Sequence, residues 1–72
     1  MEEKVIEILK EVMEDPNITP ASSQENCENW DSLHQLNLVV ELEDSFDVTL
    51  EPEEIAEMVS IKDIIRILSN KQ

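Results

Sequence analysis

Apolar residues recur along this chain at helical spacing and nowhere alternate as a strand would. Val5, Ile6, Leu9, Val12 and Met13 lie three and four apart, which predicts a first helix over about residues 2–14. Pro16 is expected to end it, because proline lacks the backbone donor and disfavours helix at the residue before it. The stretch 15–31 then reads as a long loop rich in turn formers, with Ile18 and Trp30 as its apolar anchors. Asp31 fits an N-cap, Ser32 the first helical position, and the periodicity continues through Phe46, so a second helix is predicted over 32–46. The segment "DVTL" leads to Pro52, well placed to open a short helix over about 53–58 that carries Ile55 and Met58. Ser60 followed by Asp63 resembles a capping box and opens a last helix over about 61–69, with Ile61, Ile64, Ile65 and Leu68 as its apolar face. The pattern therefore predicts an all-α fold. It is a small four-helix bundle with three main helices and one short one, in a single domain spanning 1–72.

The second helix departs from the simple pattern. At about 100° per residue, Leu38, Val39, Leu42 and Phe46 form one apolar side, an ordinary core stripe. Leu33, Leu36 and Val40 form a strip on another side. Asn37 and Asp44 lie beside that strip, and Glu41 and Glu43 flank it more widely. Two readings stay open. The strip, Leu36 above all, packs beneath the long loop, or it is an apolar docking patch rimmed by acid.

Charge narrows the choice of partners. The chain has 72 residues and a net charge of -13, and its five basic residues are Lys4, Lys10, Lys62, Arg66 and Lys71. No lysine or arginine occurs from Glu11 to Ile61. Such a surface repels nucleic acid and anionic membranes and attracts basic protein patches. Cys27 is alone, so no internal disulfide forms, and no Cys/His group has zinc-ligand spacing, so no metal site is expected. The N-terminal pattern is broken by charges throughout and is neither a signal peptide nor a membrane span; a cytoplasmic protein is expected.

Ser32 has no evident chemistry of its own. A nucleophilic serine needs a general base within reach. His34 is the one histidine, and residues two apart on a helix do not face each other; it reads as a solvated surface residue. The Gly-x-Ser-x-Gly elbow, the phosphate-binding loop and the EF-hand all require glycine, and the chain has none. Two roles remain for Ser32: a plain helix start, or an exposed hydroxyl that another enzyme modifies. A phosphate there would meet the free N–H groups and the positive end of the helix dipole, with Asp31 opposing it.

From Asp31 to about Leu68 the chain resembles the acyl carrier proteins and the related peptidyl carrier domains. "DSL" is similar to their attachment signature, "LNLVVELEDSFDVTLEPEEI" to their second helix and following loop, and "SIKDIIRIL" to their last helix. The resemblance implies that Ser32, flanked by Asp31 and Leu33, carries 4'-phosphopantetheine delivered from coenzyme A by a separate phosphopantetheinyl transferase. The arm's thiol would then hold an acyl group as a thioester, and the chain would be a carrier, not an enzyme. It implies docking to acyl-processing enzymes with basic patches through Leu33, Leu36, Asn37, Val40, Glu41, Glu43 and Asp44. It also implies an acyl pocket lined by Leu42, Phe46, Leu50, Ile55, Met58 and Ile64, and a monomer. Fatty-acid carriers usually have acids where His34 and Asn37 stand and "GAD" where this chain has "NWD". A dedicated carrier, or a peptidyl or aminoacyl carrier, is thus an alternative to fatty-acid synthesis. A non-carrier acidic interaction protein is the rival of another class.

Overall fold

The computed structural model describes residues 1–71. Four helices follow in chain order: α1 (Glu2–Met13), α2 (Ser32–Phe46), α3 (Pro52–Glu57) and α4 (Ile61–Lys71). The expected bounds need small corrections. α1 stops one residue before Glu14, α3 opens on Pro52 and closes before Met58, and α4 runs two residues past Ser69.

The ends of α1 and α2 show how a chain without glycine stops a helix. Glu14 and Asp47 both adopt the left-handed conformation, each with φ of 53°. After α1, the Glu14 and Asp15 N–H groups donate back to the carbonyls of Glu11 and Lys10. After α2, the Val48 N–H donates to the carbonyl of Glu43 at 3.2 Å. This is the closing pattern that glycine usually serves, because a Cβ makes the conformation costly. Pro16 lies beyond a helix already closed, so it is not what ends α1.

α1, α2 and α4 enclose one core. Val5, Leu9, Met13, Leu38, Leu42, Met58, Ile61, Ile64 and Leu68 are almost wholly buried in it. Ile8, Val39, Leu50 and Ile67 complete the interior, with Ile18, Cys27 and Trp30 from the loop. On α4, Ile67 takes the core place expected of Ile65, which is only half-buried. Ser60 caps α4 through its hydroxyl, which accepts from the Asp63 N–H at 3.2 Å and donates to the Asp63 carboxylate at 2.9 Å. α3 buries none of its residues fully. Its start is tied to the end of α4 by Lys71, whose Nζ lies 2.8 Å from Glu54. That ammonium, bonding first through the side chain, holds the Glu54 carboxyl below the usual carboxylate range.

The loop 15–31 is held by short polar side chains that stand in for backbone partners. Asn17, Thr19, Ala21 and Ser23 donate their N–H groups to Asp15, Ser22, Thr19 and Asn26 side chains. Asn29 donates to the carbonyl of Met13 at 2.6 Å, closing the end of α1. Ser23 and Ser60 form an isolated antiparallel bridge. In it Gln24 donates to Val59 and Ile61 donates to Ser22, so the loop is laced to the start of α4. The sequence pattern gave no sign of this bridge.

Candidate functional site

Asp31 has the extended backbone of an N-cap, and its carboxylate accepts the His34 N–H at 2.9 Å. Ser32, the first residue of α2, is exposed and stands at the positive end of a 15-residue helix. Among the described residues no base is hydrogen-bonded to its hydroxyl; the neighbouring imidazole is turned toward Asp31 instead. His34 Nδ1 lies 2.8 Å from Asp31 Oδ1, and only 23% of the imidazole is exposed. The expectation of a solvated His34 is therefore corrected. The His34 N–H and then its side chain hold the Asp31 carboxyl below the usual carboxylate range.

The two sides of α2 separate cleanly. Leu33, Leu36 and Val40 are 66%, 63% and 62% exposed, so the loop does not cover the strip, and Leu36 does not pack beneath it. Asn37, Glu41 and Asp44 are exposed around it. Glu43 is half-buried, and its carboxylate accepts the Leu50 N–H at 2.9 Å, so it fastens the α2–α3 loop as well as adding charge.

The opposite side of α2 carries a polar residue that the apolar pattern passed over. Gln35 is buried, in register with Leu38, Val39 and Leu42. Its amide oxygen accepts from the Trp30 indole N–H at 2.6 Å. Its amide nitrogen donates to the carbonyls of Ile55 at 3.1 Å and Met58 at 3.2 Å. One side chain thus joins the loop, α2 and the C-terminal end of α3. The signal was present in the sequence: a glutamine three and four residues before core positions must be hydrogen-bonded if it is buried.

Of the residues expected to line an acyl pocket, Leu42, Leu50, Met58 and Ile64 are buried in the shared core, while Ile55 and Phe46 are partly buried against it. Phe46 lies at the edge of the bundle, with Lys4 Nζ 5.4 Å from its ring centre. A groove runs between the end of α1 and α2, lined by Glu11, Val12, Glu14, His34, Asn37, Val40 and Glu41. The α1 members of that groove were not expected from the sequence. Among the described residues, no group of three or more His, Cys, Asp or Glu side chains is placed to hold a metal ion. Among those residues, no helix is long and apolar enough to cross a membrane.

An exposed serine at a helix start is common, and geometry alone does not say what is attached to it. The family model described as "Phosphopantetheine attachment site" matches residues 3–68. The chain is also 36% identical over 70 residues to a protein named "Acyl carrier protein" from Syntrophus aciditrophicus (strain SB), covering 94% of this chain and 88% of the relative.

The chain belongs to the acyl carrier protein family.

It is a carrier, not a catalyst, and its cofactor is phosphopantetheine. The reading as a non-carrier acidic interaction protein is set aside. The start of α2 fits such an arm. Ser32 is open to solvent, Leu33 beside it offers exposed apolar surface, and nothing buried must be uncovered for a transferase to reach the hydroxyl. When bound, the arm supplies a thiol that holds cargo as a thioester; the protein supplies attachment and recognition.

Proposed function

We propose that Ser32 is the attachment point and that the holo chain shuttles acyl intermediates between partner enzymes. The observation that carries this is the exposed hydroxyl of Ser32 at the start of α2, inside "DSL" and within the matched family region. In the transfer, Ser32 Oγ forms a bond to the pantetheine-side phosphorus of coenzyme A. The phosphoanhydride bond breaks, adenosine 3',5'-bisphosphate leaves, and the serine proton passes to a base on the transferase. This explains why the chain needs no base of its own.

The exposed strip Leu33, Leu36 and Val40, rimmed by Asn37, Glu41, Asp44 and in part Glu43, is proposed as the surface that meets the transferase and the acyl-processing enzymes. Apolar centre and acidic rim together suit a partner patch with basic residues around an apolar middle. The name of the relative supports acyl cargo over peptidyl or aminoacyl cargo, in fatty-acid or a specialised acyl pathway. We place the carrier in the cytoplasm as a monomer, on its acidic surface and its single unpaired cysteine.

The test is intact mass after incubation with coenzyme A and a broad-specificity phosphopantetheinyl transferase. The wild-type chain is expected to gain one phosphopantetheine, and folded Ser32→Ala none. A wild-type chain that several transferases leave unmodified would overturn the proposal. Mass of the thioester on protein recovered from its own cells then identifies the cargo.

A further inference from the structure

His34 stands where the attachment site meets the α1–α2 groove. Its backbone N–H and its Nδ1 both reach Oδ1 of Asp31, at 2.9 and 2.8 Å. A carboxylate only accepts, so the imidazole donates through Nδ1–H. The same groove is lined by Glu11 of α1, Glu14 just past its end, and Asn37 and Glu41 of α2. No lysine or arginine occurs between Glu11 and Ile61 in the chain.

We infer that His34 is a positioning residue for arm transfer to Ser32. It holds the Asp31 carboxylate at the start of α2, beside the serine. The inference rests on the reading of Ser32 as the attachment point. His34 takes no part in making or breaking bonds; the transfer remains the exchange at phosphorus described above. The hydrogen bond from the ring fixes the carboxylate in one place, so the pair presents its negative charge beside the serine to a basic partner.

The experiment measures transfer kinetics from coenzyme A to the full apo chain for wild type, His34→Gln and His34→Ala. His34→Ala lacks a donor for Asp31 and is expected to raise the KM for the carrier about three- to fivefold, the size of a typical net hydrogen bond, with kcat unchanged. His34→Gln keeps a donor and should restore the wild-type KM. As the chain has one histidine, ring nitrogen shifts can be read directly, and the Nδ1–H tautomer should dominate. Equal KM for wild type and His34→Ala, with loading efficient in both, would overturn this inference and leave the attachment reading intact. So would a dominant Nε2–H tautomer. Absence of loading of the wild-type chain would overturn the attachment reading, and the inference with it.

Discussion

Replacing Gln35 by leucine tests whether a buried hydrogen-bond network, and not packing alone, holds α3 to the bundle. Leucine is apolar and of similar bulk, and Gln35 occupies a core position on α2. If burial of apolar surface were all that mattered, the change would be neutral or stabilising. The structure says otherwise. Gln35 accepts from the Trp30 indole N–H and donates to the carbonyls of Ile55 and Met58. Removing the amide leaves Ile55 its bond from the Met58 N–H. The Trp30 N–H and the Met58 carbonyl lose their partner in a buried setting. Each orphaned group costs about 1–3 kcal/mol, so Gln35→Leu should lose about 2–6 kcal/mol. That is a large share of the roughly 4–11 kcal/mol available to a domain of this size. Gln35→Ala should lose more, by the added cavity. Urea unfolding followed by far-UV circular dichroism gives the stability, and the single tryptophan gives an independent fluorescence signal from the network itself. Gln35→Glu adds a sign test. Its carboxylate cannot donate to the carbonyls and would be buried beside them, so its folded pKa should be raised. Its stability should then fall as pH rises from the unfolded carboxylate value toward the folded one. A Gln35→Leu variant within about 0.5 kcal/mol of wild type, the usual spread of harmless substitutions, would refute the reasoning.

Glu14→Gly and Asp47→Gly should each stabilise the chain by up to about 1 kcal/mol in urea unfolding, since both residues hold a left-handed φ of 53°; a loss in either would show that its side chain matters more than its backbone. The Asp31 carboxyl is held below the usual range, chiefly by the His34 N–H. The stability it adds is present above the unfolded carboxylate pKa and lost as pH falls through the folded one, so Asp31→Asn should flatten the acid limb of Tm against pH. Ile64→Ala should lose about 2–5 kcal/mol in the apo form, because Ile64 is wholly buried. The same change should lengthen the acyl chain whose loading still raises Tm, and wild-type gains that rise steadily to long chains would show that Ile64 does not limit the space.

What could be read from the sequence follows the strength of the local signal. Helical spacing, Asp31 before Ser32 and Pro52 at a helix start each act within a turn or two of chain, and the structure has helices opening at these places. The exposed strip on α2 was visible as a second apolar side, but periodicity cannot say what covers a face. Only the placement of the loop showed that Leu36 is left open. The Ser23–Ser60 bridge joins backbone groups far apart in sequence and depends on no particular side chain, so no pattern announces it. His34 was misread because the spacing argument compared it with Ser32. Its partner is Asp31, three residues back, where side chains on a helix start do meet. Glu43 was read for its charge alone, and its bond to the Leu50 N–H could not be seen before the loop was placed.

The distribution of charge separates the two ends of the molecule's work. Three of its five basic residues are engaged on α3, α4 or the end of α2. Arg66 lies 3.2 Å from Asp63 and 3.7 Å from Glu57, Lys71 pairs with Glu54, and Lys4 reaches the Ser45 carbonyl and the Phe46 ring. Exposed pairs of this kind stabilise little. Their effect is on the field: they offset acid on α3 and α4, while among the described residues no lysine or arginine forms an ion pair with Asp31, Glu41 or Asp44 along the start and middle of α2. There Asp31, Glu41 and Asp44 stand with no lysine or arginine within the same stretch of chain. A field of one sign over an apolar strip steers a basic partner to a single face and orients it before contact. The serine lies at the N-terminal end of that face. On the proposed docking through α2, a partner arrives with Ser32 at the edge of its footprint.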